Sequence, residues 1–397
     1  MQKLAVKTVA ARARVRSGVG SYIGTPVHVA IGRNPRLLSG PERLYLDHAA
    51  TTPVLPEART AMAAALEVWA NPSSPHADGR RARAALEEAR KTIADALGWR
   101  HDVILTSGAS EAIQIVAARA KADLRVVGST EHDAVIAAMG EIATVLPVDT
   151  NGIIDLDALD AALAAGPALV AVQQVNNETG VIQPLDAVYE RVRASGSLLL
   201  ADCAQGAGKL PLPDADFIAV SGHKLGGPPG VGALLVKDLS TLVASGGQER
   251  GYRRGTENLL AVAGMAAALE ARAFVEATPR LTRLREQLDQ EIKASSGIVI
   301  GDGAPRIPTI GAYAMPGVAG TSQLVQLDLA GISISVGSAC SSGSMKPSRV
   351  LGAMHVPPEI AASTIRVSFG PQTSGADIAR LLDAWRGIAD RAKARAA

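Results

Sequence analysis

Between about residues 56 and 240, short β-branched or leucine-rich runs alternate with longer alanine-rich stretches. Apolar runs of strand length, separated by enough chain for a helix, predict parallel strands joined by crossover helices in an α/β layer fold. The strand candidates are residues 103–105, 125–128, 169–175, 198–201, 217–220 and 232–236. Polar and glycine residues gather just after these runs. Ligands in open α/β sheets bind outside the carboxyl ends of the strands, so this edge is where a site is expected.

The chain has 397 residues, more than the ~250–300 at which a single core stops growing, so two lobes are expected. Residues 56–274 read as a large domain. The pattern over 259–294 turns helical, with Leu281, Leu284 and Leu288 three and four apart, and reads as a connector. Residues 275–397 read as a smaller α+β lobe, which residues 43–55 are expected to join. Residues 1–42 stand apart: Lys3, Lys7, Arg12, Arg14, Arg16, Arg33 and Arg36 face no acid before Pro41. The segment reads as a poorly ordered basic extension, with an organelle transit peptide as the alternative.

Charge excludes some classes of function. Lys and Arg number 40 against 38 Asp and Glu, which implies neither a nucleic-acid nor a membrane surface. No apolar stretch reaches the ~18–20 residues of a membrane span. The two cysteines, Cys203 and Cys340, lie far apart and read as free thiols of a reducing compartment, so a cytoplasmic location is expected.

Three stretches carry chemistry. Ser221-Gly222-His223-Lys224 closes the run 217–220 and precedes the glycine- and proline-rich 226–230. A lysine at a strand end, partly desolvated, suits covalent attack on a carbonyl; the alternative is a solvated loop charge. Asp202 directly follows 198–201 and would emerge on the same edge. A buried acid needs a cationic or hydrogen-bonded partner, such as a pyridinium nitrogen or the next helix's amides. Thr106-Ser107-Gly108-Ala109-Ser110-Glu111 lies before a helix expected to start near Glu111, where amides and a hydroxyl make either an anion site or an ordinary cap. The run Gly206-Ala207-Gly208-Lys209 lacks the glycine and the Ser/Thr of a P-loop.

Read with these, Tyr45-Leu46-Asp47-His48-Ala49-Ala50-Thr51-Thr52-Pro53, Asn71-Pro72-Ser73-Ser74, Glu131-His132, Asn176-Asn177-Glu178-Thr179-Gly180, Asp202 to Gln205, Arg253-Arg254-Gly255-Thr256 and Gly337-Ser338-Ala339-Cys340 closely resemble the cysteine desulfurases of the NifS/IscS type. Those enzymes share the class V aminotransferase fold, and the likeness runs in order over about residues 44 to 385. It implies a type I pyridoxal-phosphate transferase fold, with a mainly parallel seven-stranded sheet in the large domain.

The resemblance also implies roles. Lys224 matches the lysine that bonds to the aldehyde of pyridoxal 5′-phosphate, Asp202 the partner of its ring nitrogen, Gln205 the residue facing its phenolic oxygen, and Asn177 an asparagine near the ring. His132 matches the histidine that stacks on the ring and moves protons. Ala109, Ser110, Ser221 and His223 would hold the phosphate, with Thr256 reaching in from the other subunit of a homodimer. Arg366, assisted by Asn71, would bind the carboxylate of L-cysteine. Cys340, among small residues that cannot pack a core, would take the sulfur as a persulfide for acceptor proteins, such as those of iron–sulfur cluster assembly or tRNA thiolation. Cys203 reads as a small residue beside the cofactor. Two departures stand out: Ser245 to Arg250 replaces the family's glycine–histidine run, and Val336 stands where a serine is common. Selenocysteine lyase, another class V enzyme, or a catalytically silent sulfur relay are the alternatives.

Overall fold

A computed structural model describes residues 43–337 and 348–396. Twelve strands occur among them: β1 Leu44–Tyr45, β2 Asp102–Thr106, β3 Leu124–Gly128, β4 Thr144–Leu146, β5 Ala168–Gln173, β6 Leu198–Asp202, β7 Phe217–Ser221, β8 Gly232–Val236, β9 Ile298–Val299, β10 Ile310–Ala314, β11 Ile332–Ser333 and β12 Thr364–Ser368. Seven of them form one sheet in the order β2-β8-β7-β6-β5-β3-β4. The strands β7, β6, β5, β3 and β4 are parallel neighbours, while β8 runs antiparallel to both β7 and β2. All six strand candidates appear, within two residues at each end.

The reversal at β8 is the one departure from parallel pairing expected over this stretch. Only residues 222–231 join β7 to β8, and they hold a single short turn, Gly222–Lys224. A parallel return needs a crossover of a dozen or more residues, so this link turns the chain back beside itself. As a result the first residue of β8, Gly232, lies at the same edge as the last residues of β2 and β7, paired with Thr106 and Ser221.

The sheet is buried on both faces, which is why its strands read as continuous apolar runs. Val103, Leu105, Val170, Val172, Ile218 and Val220 pack on one side, beneath the helices Pro56–Ala65, Ala77–Leu97, Leu185–Ala194 and Leu259–Glu270. Ile104, Leu169, Ala171, Leu200, Ala219 and Leu234 alternate onto the other, against the helices Ala109–Arg119 and Asp133–Met139. The stretch read as a connector is two helices, broken at Arg272, whose φ is +50°. Leu259–Glu270 belongs to the sheet's helical layer, and only Ala273–Ala294 packs in the second core, with Leu44, Leu46, Tyr313, Phe369 and Trp385.

That second core surrounds the antiparallel sheet β12-β10-β9 and the parallel pair β1-β11. The N-terminal segment does run to it: Leu44 and Tyr45 pair with Ile332 and Ser333, and Ser368 donates its N–H to Leu46 O at 2.8 Å.

One buried ion pair fixes the rim of the sheet. The Glu249 carboxylate, 1% exposed, accepts from Arg90 at 2.5 and 2.9 Å and from the Leu105 amide at 2.8 Å. Glu249→Ala leaves the half-buried Arg90 cation with only the partly exposed Glu87 carboxylate and the Val103 carbonyl, so the protein is expected to lose about 3 kcal/mol. Chemical denaturation measures this, with Lys91→Ala, which breaks only an exposed pair with Asp95, as the variant expected to match the parent.

Candidate active site

A cavity of about 700 Å³ opens at the carboxyl edge of the seven-stranded sheet. Its wall includes Ala109, Ser110, His132, Asn177, Asp202, Gln205, Ser221, His223, Lys224 and Arg366. Ten of the thirteen residues singled out in the sequence therefore meet in one place, although they lie in separate segments spanning more than half the chain.

Lys224 enters from the turn after β7, and its Nζ donates to two backbone carbonyls, Ala49 O at 2.6 Å and Ala50 O at 2.8 Å. Burial and the nearby Arg366 cation lower its pKa from 10.5 to about 8, against the opposing pull of Asp47 and Asp202. Its amine is thus available near neutral pH, as nucleophilic attack on a carbonyl requires.

Asp202 ends β6, and the Ala204 amide donates to its Oδ1 at 2.9 Å. Burial pushes its pKa up, while that amide, the His132 ring and the Lys224 charge oppose the rise. His132 accepts the Ala134 N–H on Nδ1 at 3.1 Å, capping the helix Asp133–Met139. A neutral ring so engaged carries its proton on Nε2. Gln205 donates from Nε2 to Ala49 O at 2.9 Å, and its buried Oε1 has no partner in the protein.

The remaining wall includes a helix start and a histidine. The helix Ala109–Arg119 begins there, and its first amides have no acceptor within the helix. It starts two residues before the expected Glu111, because the Glu111 carboxylate reaches back to cap the Ser107 amide. Gly232 makes this possible: a Cβ there would stand 2.6 Å from Gly108 Cα. His223 faces Thr51 Oγ1 at 3.2 Å, and burial with the Lys224 and Lys209 charges lowers its pKa to about 4, so its ring is neutral at physiological pH.

Arg366 projects from β12, 6% exposed. Its Nη2 meets Asp47 Oδ1 at 2.8 Å and its Nη1 donates to Asn177 O at 3.0 Å. The exposed Asn71 and Thr256 do not line the cavity, and Asn71 Oδ1 is engaged by the Ser73 amide at 2.9 Å. Cys340 lies outside the described residues. Cys203 packs inside the apolar core, not in the cavity wall, and burial raises its thiol well above the usual range, Asp202 adding to the effect.

Three wall residues had no role assigned from sequence. Glu131 accepts the Gln173 amide at 2.7 Å on one oxygen, and its other oxygen is buried without a partner. Glu178 accepts from Ser348 Oγ at 2.6 Å, and Arg349 donates to the Ser129 and Glu131 carbonyls. Glu131 and Glu178 were visible within quoted motifs, but nothing in sequence distinguishes a buried acid from an exposed one.

The fold and this strand-edge lysine define a class V aminotransferase, and the family model described as "Aminotransferase class-V" matches residues 44–381. A "Cysteine desulfurase" of Cereibacter sphaeroides is 38% identical over 378 residues, covering 89% of this chain and 97% of its own. The chain belongs to the cysteine desulfurases of the NifS/IscS type. Among solved structures, a NifS-like protein from Rickettsia africae ESF-5 superposes with a TM-score of 0.81 at 29% identity, covering 88% of this chain and 100% of its own. A structure titled "SspA in complex with cysteine" gives 0.73 at 28% identity, covering 83% and 100%.

The depressed Lys224 pKa is directly testable. Trapping of a small aldehyde on Lys224 by borohydride needs the neutral amine, so its rate should rise with pH through a midpoint near 8 rather than the ordinary 10.5. Arg366→Gln removes one cause of the depression and should move that midpoint upward. Peptide mapping after reduction reads both.

Proposed function

We propose that this chain is a pyridoxal-phosphate-dependent cysteine desulfurase, which moves sulfur from L-cysteine onto Cys340 and releases L-alanine. The observation that carries the reading is the convergence of the Lys224 amine, the Asp202 carboxyl and the Arg366 guanidinium on one cavity.

The residues present fit pyridoxal 5′-phosphate. Lys224 would hold its aldehyde, Asp202 its ring nitrogen, and His132 one face of the ring, with Asn177 nearby. The unpartnered, buried Gln205 Oε1 marks a polar position awaiting a ligand, in keeping with a residue facing the phenolic oxygen. Ala109, Ser110, Ser221 and His223 would bind the phosphate, with Thr256 supplied by a second copy of the chain. When bound, the cofactor supplies an electron sink for the charge left when Cα loses its proton.

The protein's own groups then have distinct tasks. Arg366 binds the substrate carboxylate through a planar, multidentate donor set. Lys224, once its amine is free, takes the proton from Cα and returns protons to the carbon skeleton, with His132 Nε2–H beside it. The Cys340 thiolate attacks the substrate sulfur. Overall one C–S bond breaks and one S–S bond forms; the substrate carbon is reduced to the methyl of alanine and the sulfur is oxidised to the persulfide level. We assign residues 56–274 to cofactor binding and residues 275–397, with 43–55, to a smaller lobe that carries Arg366 and Cys340. The persulfide is passed to a sulfur-acceptor protein.

Cys340→Ala separates sulfur transfer from the cofactor steps. The variant should fold, bind the cofactor and respond spectroscopically to cysteine, while alanine release falls by orders of magnitude and no protein-bound sulfur accumulates. Undiminished alanine formation from cysteine would refute the persulfide route. The shared site predicts complementation: mixed Lys224→Ala and Thr256→Ala chains should form heterodimers with one intact site and recover part of the activity. Heterodimers that form without recovery would show that Thr256 serves no partner.

A further inference from the structure

The segment from Tyr45 to Thr52 bonds to Lys224, Gln205, His223 and Arg366 in the cavity wall, yet its Asp47 side chain has no assigned task. Asp47 pairs with Arg366, 319 residues away in sequence, at 2.8 Å. Both ends of this contact are held by the backbone. Asp47 bridges to Ser368 on β12, and Tyr45 Oη donates to its carbonyl at 3.1 Å. Arg366 exchanges backbone hydrogen bonds with Ser335, at 2.8 and 3.2 Å, and lies opposite Ala312 in the register of β12 with β10. Neither residue can follow the other by moving its main chain.

The guanidinium is therefore fixed through two of its three nitrogens. Nη2 is engaged by the Asp47 carboxylate and Nη1 by the Asn177 carbonyl, while the buried Nε has no partner in the protein. A buried N–H without an acceptor is costly, and a group that lines a cavity can satisfy it with a ligand. An arginine presents its donors in a rigid fork, so fixing two nitrogens also fixes the direction of the third.

We propose that Asp47 is a positioning residue, which locks the Arg366 guanidinium so that its Nε–H edge is kept for the α-carboxylate of the substrate. This rests on the reading of Arg366 as the carboxylate receptor. The negative charge of Asp47 has a second consequence: it offsets the Arg366 cation, so the cavity gains orientation for one carboxylate rather than general attraction for anions.

The test compares L-cysteine with its methyl ester, which lacks the carboxylate charge, in holoenzyme carrying Asp47→Ala, Asp47→Asn or Asp47→Glu. Loss of one charge-assisted hydrogen bond should raise KM for cysteine by about tenfold in Asp47→Ala, with kcat changing far less. The ester should lose much less, so discrimination between the two collapses. Asp47→Asn and Asp47→Glu, which keep an acceptor, should restore part of it. Calorimetry with L-alanine and alaninamide on Cys340→Ala holoenzyme reads the same preference without turnover. In Arg366→Lys the preference should vanish, and adding Asp47→Ala should change it no further. If Arg366→Lys keeps the preference for the free carboxylate, the receptor reading itself fails. If Arg366→Lys abolishes it while Asp47→Ala leaves both KM and the calorimetric preference intact, the positioning role of Asp47 is overturned.

Discussion

The Lys224 amine is held by two backbone carbonyls and by no carboxylate, and the chemistry available at this cavity follows from that choice. A direct ion pair with an acid would favour the ammonium and keep its pKa high. Peptide carbonyls orient the amine while giving it weaker support, so burial and the Arg366 cation prevail and the pKa settles near 8. The carbonyls belong to Ala49, which also accepts from Gln205, and Ala50, while the neighbouring Thr52 N–H donates to His223 O at 2.8 Å. A short strap of main chain thus sets the position of the amine, the amide and the imidazole together.

The strap can do this because it is anchored at both ends, by strands before it and by the loop beyond Lys224 after it. Before it, Leu44 and Tyr45 are paired with β11 and Leu46 with β12. After it, Leu55 N–H bonds to Gly226 O in the loop beyond Lys224 at 2.9 Å. Gly226 has a φ of +95°, and a Cβ there would meet the Leu55 side chain at 2.6 Å, so the close passage of the two loops depends on its being glycine. The antiparallel β8 contributes in the same way at another part of the rim, where Gly232 lets the start of the helix Ala109–Arg119 press against the sheet.

Much of this was legible in the sequence, and the division between what was and was not is physical. Strands buried on both faces are apolar at every position, so runs such as Phe217 to Val220 declare themselves without long-range information. The three-residue β4 did not, because Thr144 and Val145 are exposed at the sheet's edge and carry no such pattern. Lys224, Asp202 and the Ser107 to Ser110 turn were found because strand ends point to one edge whatever the tertiary detail. The Asp47–Arg366 pair and the Glu178–Ser348 bond join segments 319 and 170 residues apart, and local composition contains no record of such pairings. Asn71 is a further case: a motif match placed it with Arg366, while its Oδ1 accepts the Ser73 amide in a local turn.

Glu131 and Asp202 show how the cavity distributes charge among its acids. Glu131 accepts the amide of Gln173, the residue directly across from Asp202 in the β5–β6 pairing, so the two carboxyls occupy neighbouring strand ends. Two buried acids that close do not both ionise freely; the one with better compensation keeps the charge. Asp202 has the Ala204 amide, the Lys224 charge and the neighbouring His132 ring to oppose its desolvation. Glu131 has one amide and the more modest influence of Arg349, with the Asp202 charge acting against it, and its pKa is driven well up. Both acids are raised by burial, and Glu131, with less to oppose its desolvation, is raised further. In the proposed reading one carboxylate, at Asp202, would keep a ring nitrogen protonated, and a second charge at Glu131 would compete with it for the same nearby cation.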